Sequence, residues 1–77
     1  MPYTIGDKVR TARVHRNLTQ KELARKAGLS TVAIASIEKG RRPGPRITTI
    51  YRIANATAIK LEWFFRNLKV EVKSGAD

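Results

Sequence analysis

"LTQKELARKAGLSTVAIASIEKG", residues 18–40, decides how this chain folds. Thr19 and Glu22 open it as a start signal: the threonine hydroxyl can accept from the backbone N–H three residues on, while the glutamate reaches back to the threonine's own N–H. Leu23, Ala24 and Ala27 then set apolar groups on one side of a short helix, and Gly28 supplies the turn residue that ends it. Ser30 caps a second short helix over 31–39, with Ile34 and Ile37 as its buried side and Gly40 as its stop.

The outer face of that second helix is unusual. A solvated helix carries Lys, Glu and Gln there; this one offers Ser30, Thr31, Val32, Ala35 and Ser36, and then Lys39, Arg41 and Arg42 crowd its end. A slim, nearly uncharged face framed by positive charge suits a groove, where long side chains would lose ordering entropy. The DNA major groove, about 12 Å wide, admits one α-helix. Two short helices joined by a glycine turn, the second one slim, have the geometry of a helix-turn-helix.

The totals agree. Seventy-seven residues make one small domain with one modest core. Lys and Arg number 16 against 6 acids, a formal charge of +10. Such an excess repels itself in a compact chain and favours a polyanionic partner, double-stranded DNA before an anionic membrane. The basic residues are spread over several helices and a loop instead of flanking one broad apolar face, which argues against the membrane. With no cysteine, one histidine (His15, read as a helix-surface residue) and scattered acids, the sequence offers no converging catalytic or metal-ligating set. The expectation is a non-enzyme with no cofactor, no metal and no evident small-molecule ligand. "MPYTIGDK" lacks an apolar signal region and no run reaches the roughly 18 apolar residues of a membrane span, so the chain reads as soluble and cytoplasmic, of bacterial or phage origin.

Working outward, Ile5, Val9 and Ala12 recur at helical spacing and predict a first helix over about 5–16, capped by Thr4 with Asp7 as an imperfect capping-box partner and closed by Asn17. "RRPGPR", 41–46, reads as a stiff exposed loop. Ile50, Ile53 and Ala54 predict a fourth helix over roughly 48–57; Leu61, Phe64, Phe65 and Leu68 predict a fifth over roughly 60–68. The expected fold is therefore all-α, a compact five-helix domain over 1–68, followed by a 69–77 tail that is either a short strand (Val70, Val72) or disordered.

The 18–40 stretch resembles the helix-turn-helix of the Cro and phage-repressor (XRE-like) family. The resemblance rests on Leu18, Thr19, Gln20, Leu23, Ala24, Gly28, Leu29, Ser30, Ile34, Ile37, Glu38 and Gly40, and extends over about 5–68 through Ile5, Val9, Arg13, Ile53, Ala54, Ile59, Leu61 and Trp63. It implies a lambda-repressor-like fold. It also implies base contacts from Thr31, Val32 and Ser36 with Ala35 close by, backbone contacts from Gln20, Lys39, Arg41 and Arg42, and a buried pair between Arg13 and Glu38. Arg46, in the Pro-Gly-Pro loop, is a candidate for a narrow minor groove or a solvated arginine.

Two departures from the family pattern matter. The recognition helix has no Gln, Asn or Arg at its leading positions, so bidentate base contacts are absent; the expectation is modest readout biased toward thymine methyls, with DNA shape carrying part of the specificity. Thr57-Ala58 stands where the family usually has Leu-Gly, which puts the end of the fourth helix in question.

One such domain reads few base pairs, and the family commonly binds palindromic sites as twofold dimers. "LEWFF" places Trp63, Phe64 and Phe65 in a row that cannot all point inward, since successive helical residues lie about 100° apart. Phe64 fits the core, leaving Trp63 or Phe65 as a dimer-interface candidate. The function expected is a DNA-binding transcriptional regulator, a repressor acting as a homodimer. The alternatives are an antitoxin or restriction-modification controller on the same fold, or a protein-interaction module using the fifth helix.

Overall fold

The computed structural model describes residues 3–41 and 44–68. Five helices follow one another: α1 (Ile5–His15), α2 (Gln20–Ala27), α3 (Thr31–Lys39), α4 (Ile47–Thr57) and α5 (Leu61–Phe65). The fold is all-α and of the expected type. The tail reading on Val70 and Val72 lies outside the described residues. No helix among those described is long and apolar enough to cross a membrane.

α2 packs against both α3 and α4, α1 lies along α3, and α5 closes the bundle over α4 and α1. Val9, Leu23, Ile34, Ile50, Ile53 and Phe64 are the large members of one shared core, each buried almost completely. All come from apolar positions at helical spacing, so pattern and burial agree.

Side-chain chemistry sets the helix ends. Thr4 and Asp7 complete a full capping box on α1, the Asp7 N–H donating to Thr4 Oγ1 and the Thr4 N–H to the Asp7 carboxylate, both at 3.0 Å. The box is thus complete with an aspartate. α4 begins at Ile47 after Arg46, with no side-chain cap, and ends on Ala58 in the left-handed region at φ 56°. So α4 does stop where the family pattern is broken, at the cost of placing a Cβ in a conformation that favours glycine. Arg16 offsets part of this: its Nε donates to the Thr57 carbonyl at 2.7 Å, covering the negative end of the α4 dipole.

Two close contacts lock α1 in place. Gly6 is buried against the C-terminal end of α3, where a Cβ would collide with the Ile37 carbonyl oxygen. Lys8, also buried, lays its ammonium 4.3 Å from the centre of the Trp63 ring. The cation rests on the ring's negative face while its stem packs.

α5 is shorter than its periodicity predicts. It stops at Phe65, and Asn67 turns through φ 58°. Leu68 consequently leaves the helix, and forms a parallel bridge with Tyr3, whose N–H donates to the Asn67 carbonyl at 2.9 Å. The apolar spacing of Leu68 is real, but it serves an extended segment.

Candidate nucleic-acid interface

The candidate interface is built on the α2–turn–α3 unit. The Thr19–Glu22 capping box holds the start of α2: the Glu22 N–H donates to Thr19 Oγ1 at 3.0 Å and the Thr19 N–H to Glu22 Oε1 at 2.8 Å. The backbone bond from Thr19 keeps the Glu22 carboxyl below its ordinary pKa, with the Thr19 hydroxyl contact adding to it. Gly28 takes φ 70°, and the Leu29 N–H reaches back to the Ala24 carbonyl at 2.8 Å. The chain thereby turns within three residues, and Ser30 Oγ accepts the Ala33 N–H at 3.0 Å to start α3.

At about 100° per residue, positions 31, 32, 35, 36 and 39 fall on one side of α3, opposite Ile34 and Ile37. Thr31, Val32 and Lys39 are exposed, and Ala35 and Ser36 are half-buried. Val32 leaves 72 % of its surface to solvent, the largest value among the exposed apolar side chains described. An isoleucine-backed helix with a branched apolar residue on its open face gains nothing from water there.

Glu38 fixes how α3 sits. Its side chain is 3 % exposed, and it collects donors from both neighbouring helices. Arg13 of α1 donates to it twice, from Nε to Oε2 at 2.7 Å and from Nη2 to Oε1 at 3.1 Å, while its Nη1 donates to the Leu18 carbonyl at 2.9 Å. Pairing with Glu38 pushes the already high Arg13 pKa further up. From α2, Gln20 Nε2 donates to Glu38 Oε1 at 3.1 Å. A carboxylate only accepts, so it is the NH₂ end of the Gln20 amide that faces it, and one N–H of that group stays uncommitted. Arg10 Nε lies 3.9 Å from the same oxygen, beyond hydrogen-bond reach, with its side chain 69 % exposed.

The remaining sequence-selected residues distribute as follows. Arg41 and Arg46 are exposed at the two described ends of the α3–α4 loop, and Arg42 lies outside the described residues. Trp63 is half-buried, edge-on to Phe64 with ring centres 5.0 Å apart, and occupied on its face by Lys8. Phe65 keeps 42 % of its surface exposed. Gly6, Lys8, Arg10 and Arg16 also take part, and the sequence alone does not single them out. Nothing in periodicity separates a buried lysine or a capping arginine from a solvated one; only Gly6, an unforced glycine inside a helix, carried a signal.

A family model described as helix-turn-helix matches residues 9–64, which spans the five helices from Val9 of α1 to Phe64 of α5. The chain belongs to the helix-turn-helix family. Within it, the chain is of the XRE and phage-repressor type. The helix-turn-helix chain is 37% identical over 59 residues to the HTH-type transcriptional repressor RghR of Bacillus subtilis, an alignment covering 77% of this chain and 44% of that one. It is 38% identical over 58 residues to the immunity repressor protein of Bacillus phage phi105, covering 75% and 40% respectively. The chain thus spans less than half the length of either repressor. Among solved structures, it is similar to the restriction-modification controller protein C.AhdI from Aeromonas hydrophila, with a TM-score of 0.75 and 28% identity, covering 79% of this chain and 91% of that one.

Proposed function

We propose that this helix-turn-helix chain acts as a transcriptional repressor, binding a palindromic operator as a homodimer with α3 in the major groove. The observation that carries the reading is the outer face of α3. It is slim, it exposes Val32 and Thr31, and its angle is fixed from behind by a buried carboxylate. Thr31, Val32 and Ser36, with Ala35 beside them, meet base edges; the branched methyls pack on thymine methyls. Gln20, Lys39, Arg41 and Arg42 hold the sugar-phosphate backbone, and Arg46 reaches toward the minor groove. Phe65, exposed on α5, is the better-placed dimer contact, because Trp63 is already engaged by Lys8 and Phe64.

A second reading has its own support. The chain is similar in fold and 28% identical to the restriction-modification controller protein C.AhdI, which supports a controller of that kind. Both readings require DNA.

Selection from random duplex DNA at about 150 mM salt, near physiological ionic strength, tests the shared core of these readings. A palindromic motif with half-sites about one turn, roughly 34 Å, apart is the expected result. Enrichment of no sequence, with binding that salt abolishes, would reduce the charge to a non-specific handle and sink the operator reading.

A further inference from the structure

We propose that Arg10 of α1 is a DNA-phosphate ligand, and that it and Gln20 of α2 form a two-armed clamp on a single phosphate group. The inference rests on the DNA-binding reading above and adds a residue that the helix-turn-helix pattern does not mark.

Both arms meet at one atom. Oε1 of Glu38 accepts from Gln20 Nε2 at 3.1 Å and has Arg10 Nε at 3.9 Å. Two donors from different helices therefore lie within 4 Å of one carboxylate oxygen, although ten residues separate them in sequence. Glu38 does not satisfy them both. Its two oxygens are already taken by Arg13 at 2.7 and 3.1 Å and by Gln20, and Arg10 stands off beyond hydrogen-bond distance. Asp7, one turn before Arg10, acts on it only through space: that carboxylate is spent on the Thr4 N–H in the α1 capping box.

The consequence is an asymmetry in commitment. Arg13 is half-buried and uses all its nitrogens on Glu38 and the Leu18 carbonyl, so it is structural. Arg10 is 69 % exposed, and among the described residues it makes no hydrogen bond of its own. A guanidinium held near a buried anion is localised without being neutralised by contact. A phosphate brought to the surface above Glu38 can take both forks of Arg10 and the second N–H of Gln20. Arginine and a side-chain amide are common phosphate donors. Like-charge repulsion between Glu38 and the phosphate is limited because Arg13 sits on the carboxylate.

The test uses the duplex enriched by selection, with the affinity of wild type, Arg10→Ala, Arg10→Lys and Gln20→Ala read across a salt series. The enriched duplex is also scanned with neutral methylphosphonate at each backbone position in turn. Removing one phosphate-neutralising cation from each half-site should flatten the log–log salt slope by about 0.9 per subunit, roughly 1.8 for the dimer, in Arg10→Ala. Arg10→Lys should keep the slope. Gln20→Ala, which removes no charge, should weaken binding with the slope intact. One methylphosphonate position per half-site should cost wild type several-fold, and Arg10→Ala and Gln20→Ala should each cut that cost at the same position. An unchanged slope in Arg10→Ala, or sensitivity of the two variants at different phosphates, overturns the clamp and leaves the DNA-binding reading standing. If wild type binds no duplex, both fall together. Arg10 is exposed, and circular dichroism of each variant checks that the fold is retained.

Discussion

Arg13 and Glu38, twenty-five residues apart, join the first and third helices through two hydrogen bonds of 2.7 and 3.1 Å, with 15 % and 3 % of their side chains exposed. The pair is nearly dry, and every nitrogen of Arg13 has an acceptor. Breaking such a pair costs far more than forming it gains, because the surviving partner keeps its desolvation penalty. Arg13→Ala is therefore expected to destabilise the domain by about 3–5 kcal/mol, read as a lower urea midpoint at unchanged m-value. Replacing both residues with apolar groups (Arg13→Met with Glu38→Leu) should recover most of that loss. If the single variant unfolds at the wild-type midpoint, the pair is only a surface contact.

Acid should act on the helix starts. Asp7 lies below its ordinary value of 3.8, mainly through the Thr4 N–H, and Glu22 below 4.5, mainly through the Thr19 N–H. A carboxylate whose folded pKa is depressed stabilises the fold fully above its unfolded value, and the stabilisation is lost as pH falls through the folded one. Stability should thus be level down to the ordinary carboxylate values and fall below them. Both groups are exposed, so solvent screens the effect. Asp7→Asn with Glu22→Gln keeps the acceptors and removes the titration. The double variant should show a shallower drop in melting temperature between pH 5 and pH 3, about the range in which free carboxylates protonate. An equal drop would assign the acid sensitivity elsewhere.

These relationships mark what could be read from the sequence. Four helix starts and stops were legible because the signals are local: Thr19 with Glu22, Gly28, Ser30 and Gly40 each do their work within a turn. The end of α5 was not. Leu68 has core spacing, and only the pairing with Tyr3, sixty-five residues away in sequence, pulls it out of the helix. Likewise the slim face of α3 was visible as composition, whereas its mounting on Glu38 depends on Gln20 and Arg13 arriving from two other helices. Lys8 under Trp63 is a third case, since an apolar pattern gives no hint that a lysine stem fills a core position.

Gly6 is a test of the α1–α3 junction. A methyl group there would meet the Ile37 carbonyl oxygen and, at 3.0 Å, the Glu38 carbonyl oxygen, both of them backbone atoms that cannot swing aside. Alanine favours a helix over glycine by about 1 kcal/mol, but overpacking typically costs 1–3 kcal/mol. Gly6→Ala should lower stability by roughly 1–2 kcal/mol on balance, measured by thermal or urea unfolding. A stabilised Gly6→Ala would mean that α1 is free to move away from α3.

Ala58 points the other way. It is one of three described non-glycine residues at positive φ, and it is the C-cap of an eleven-residue helix. The left-handed conformation costs a residue with a Cβ about 1–2 kcal/mol, and the greater freedom of unfolded glycine returns about 0.4–1 kcal/mol of that. Ala58→Gly should raise stability by roughly 0.5–1 kcal/mol, seen as a higher melting temperature with DNA binding unchanged. A lower melting temperature would show that the α4 end is not strained.

Val32 and Arg41 separate reading from holding. Both are exposed, but Val32 stands on the open face of α3 and Arg41 just past its C-cap, Gly40. An apolar contact with a thymine methyl depends on the base, whereas an arginine on a phosphate does not. Val32→Ala should change preference at one position of each half-site by about 1 kcal/mol and leave binding to random duplex nearly untouched. Arg41→Ala should weaken selected and random duplexes by the same factor and lower the salt slope by about 0.9 per subunit, roughly 1.8 for the dimer. Titrating both variants against the selected duplex, its single-base variants and a random duplex makes the comparison. If the two substitutions behave alike on all of them, α3 is not the element that reads sequence, and the base-contact assignments of Thr31, Ala35 and Ser36 fall with that of Val32.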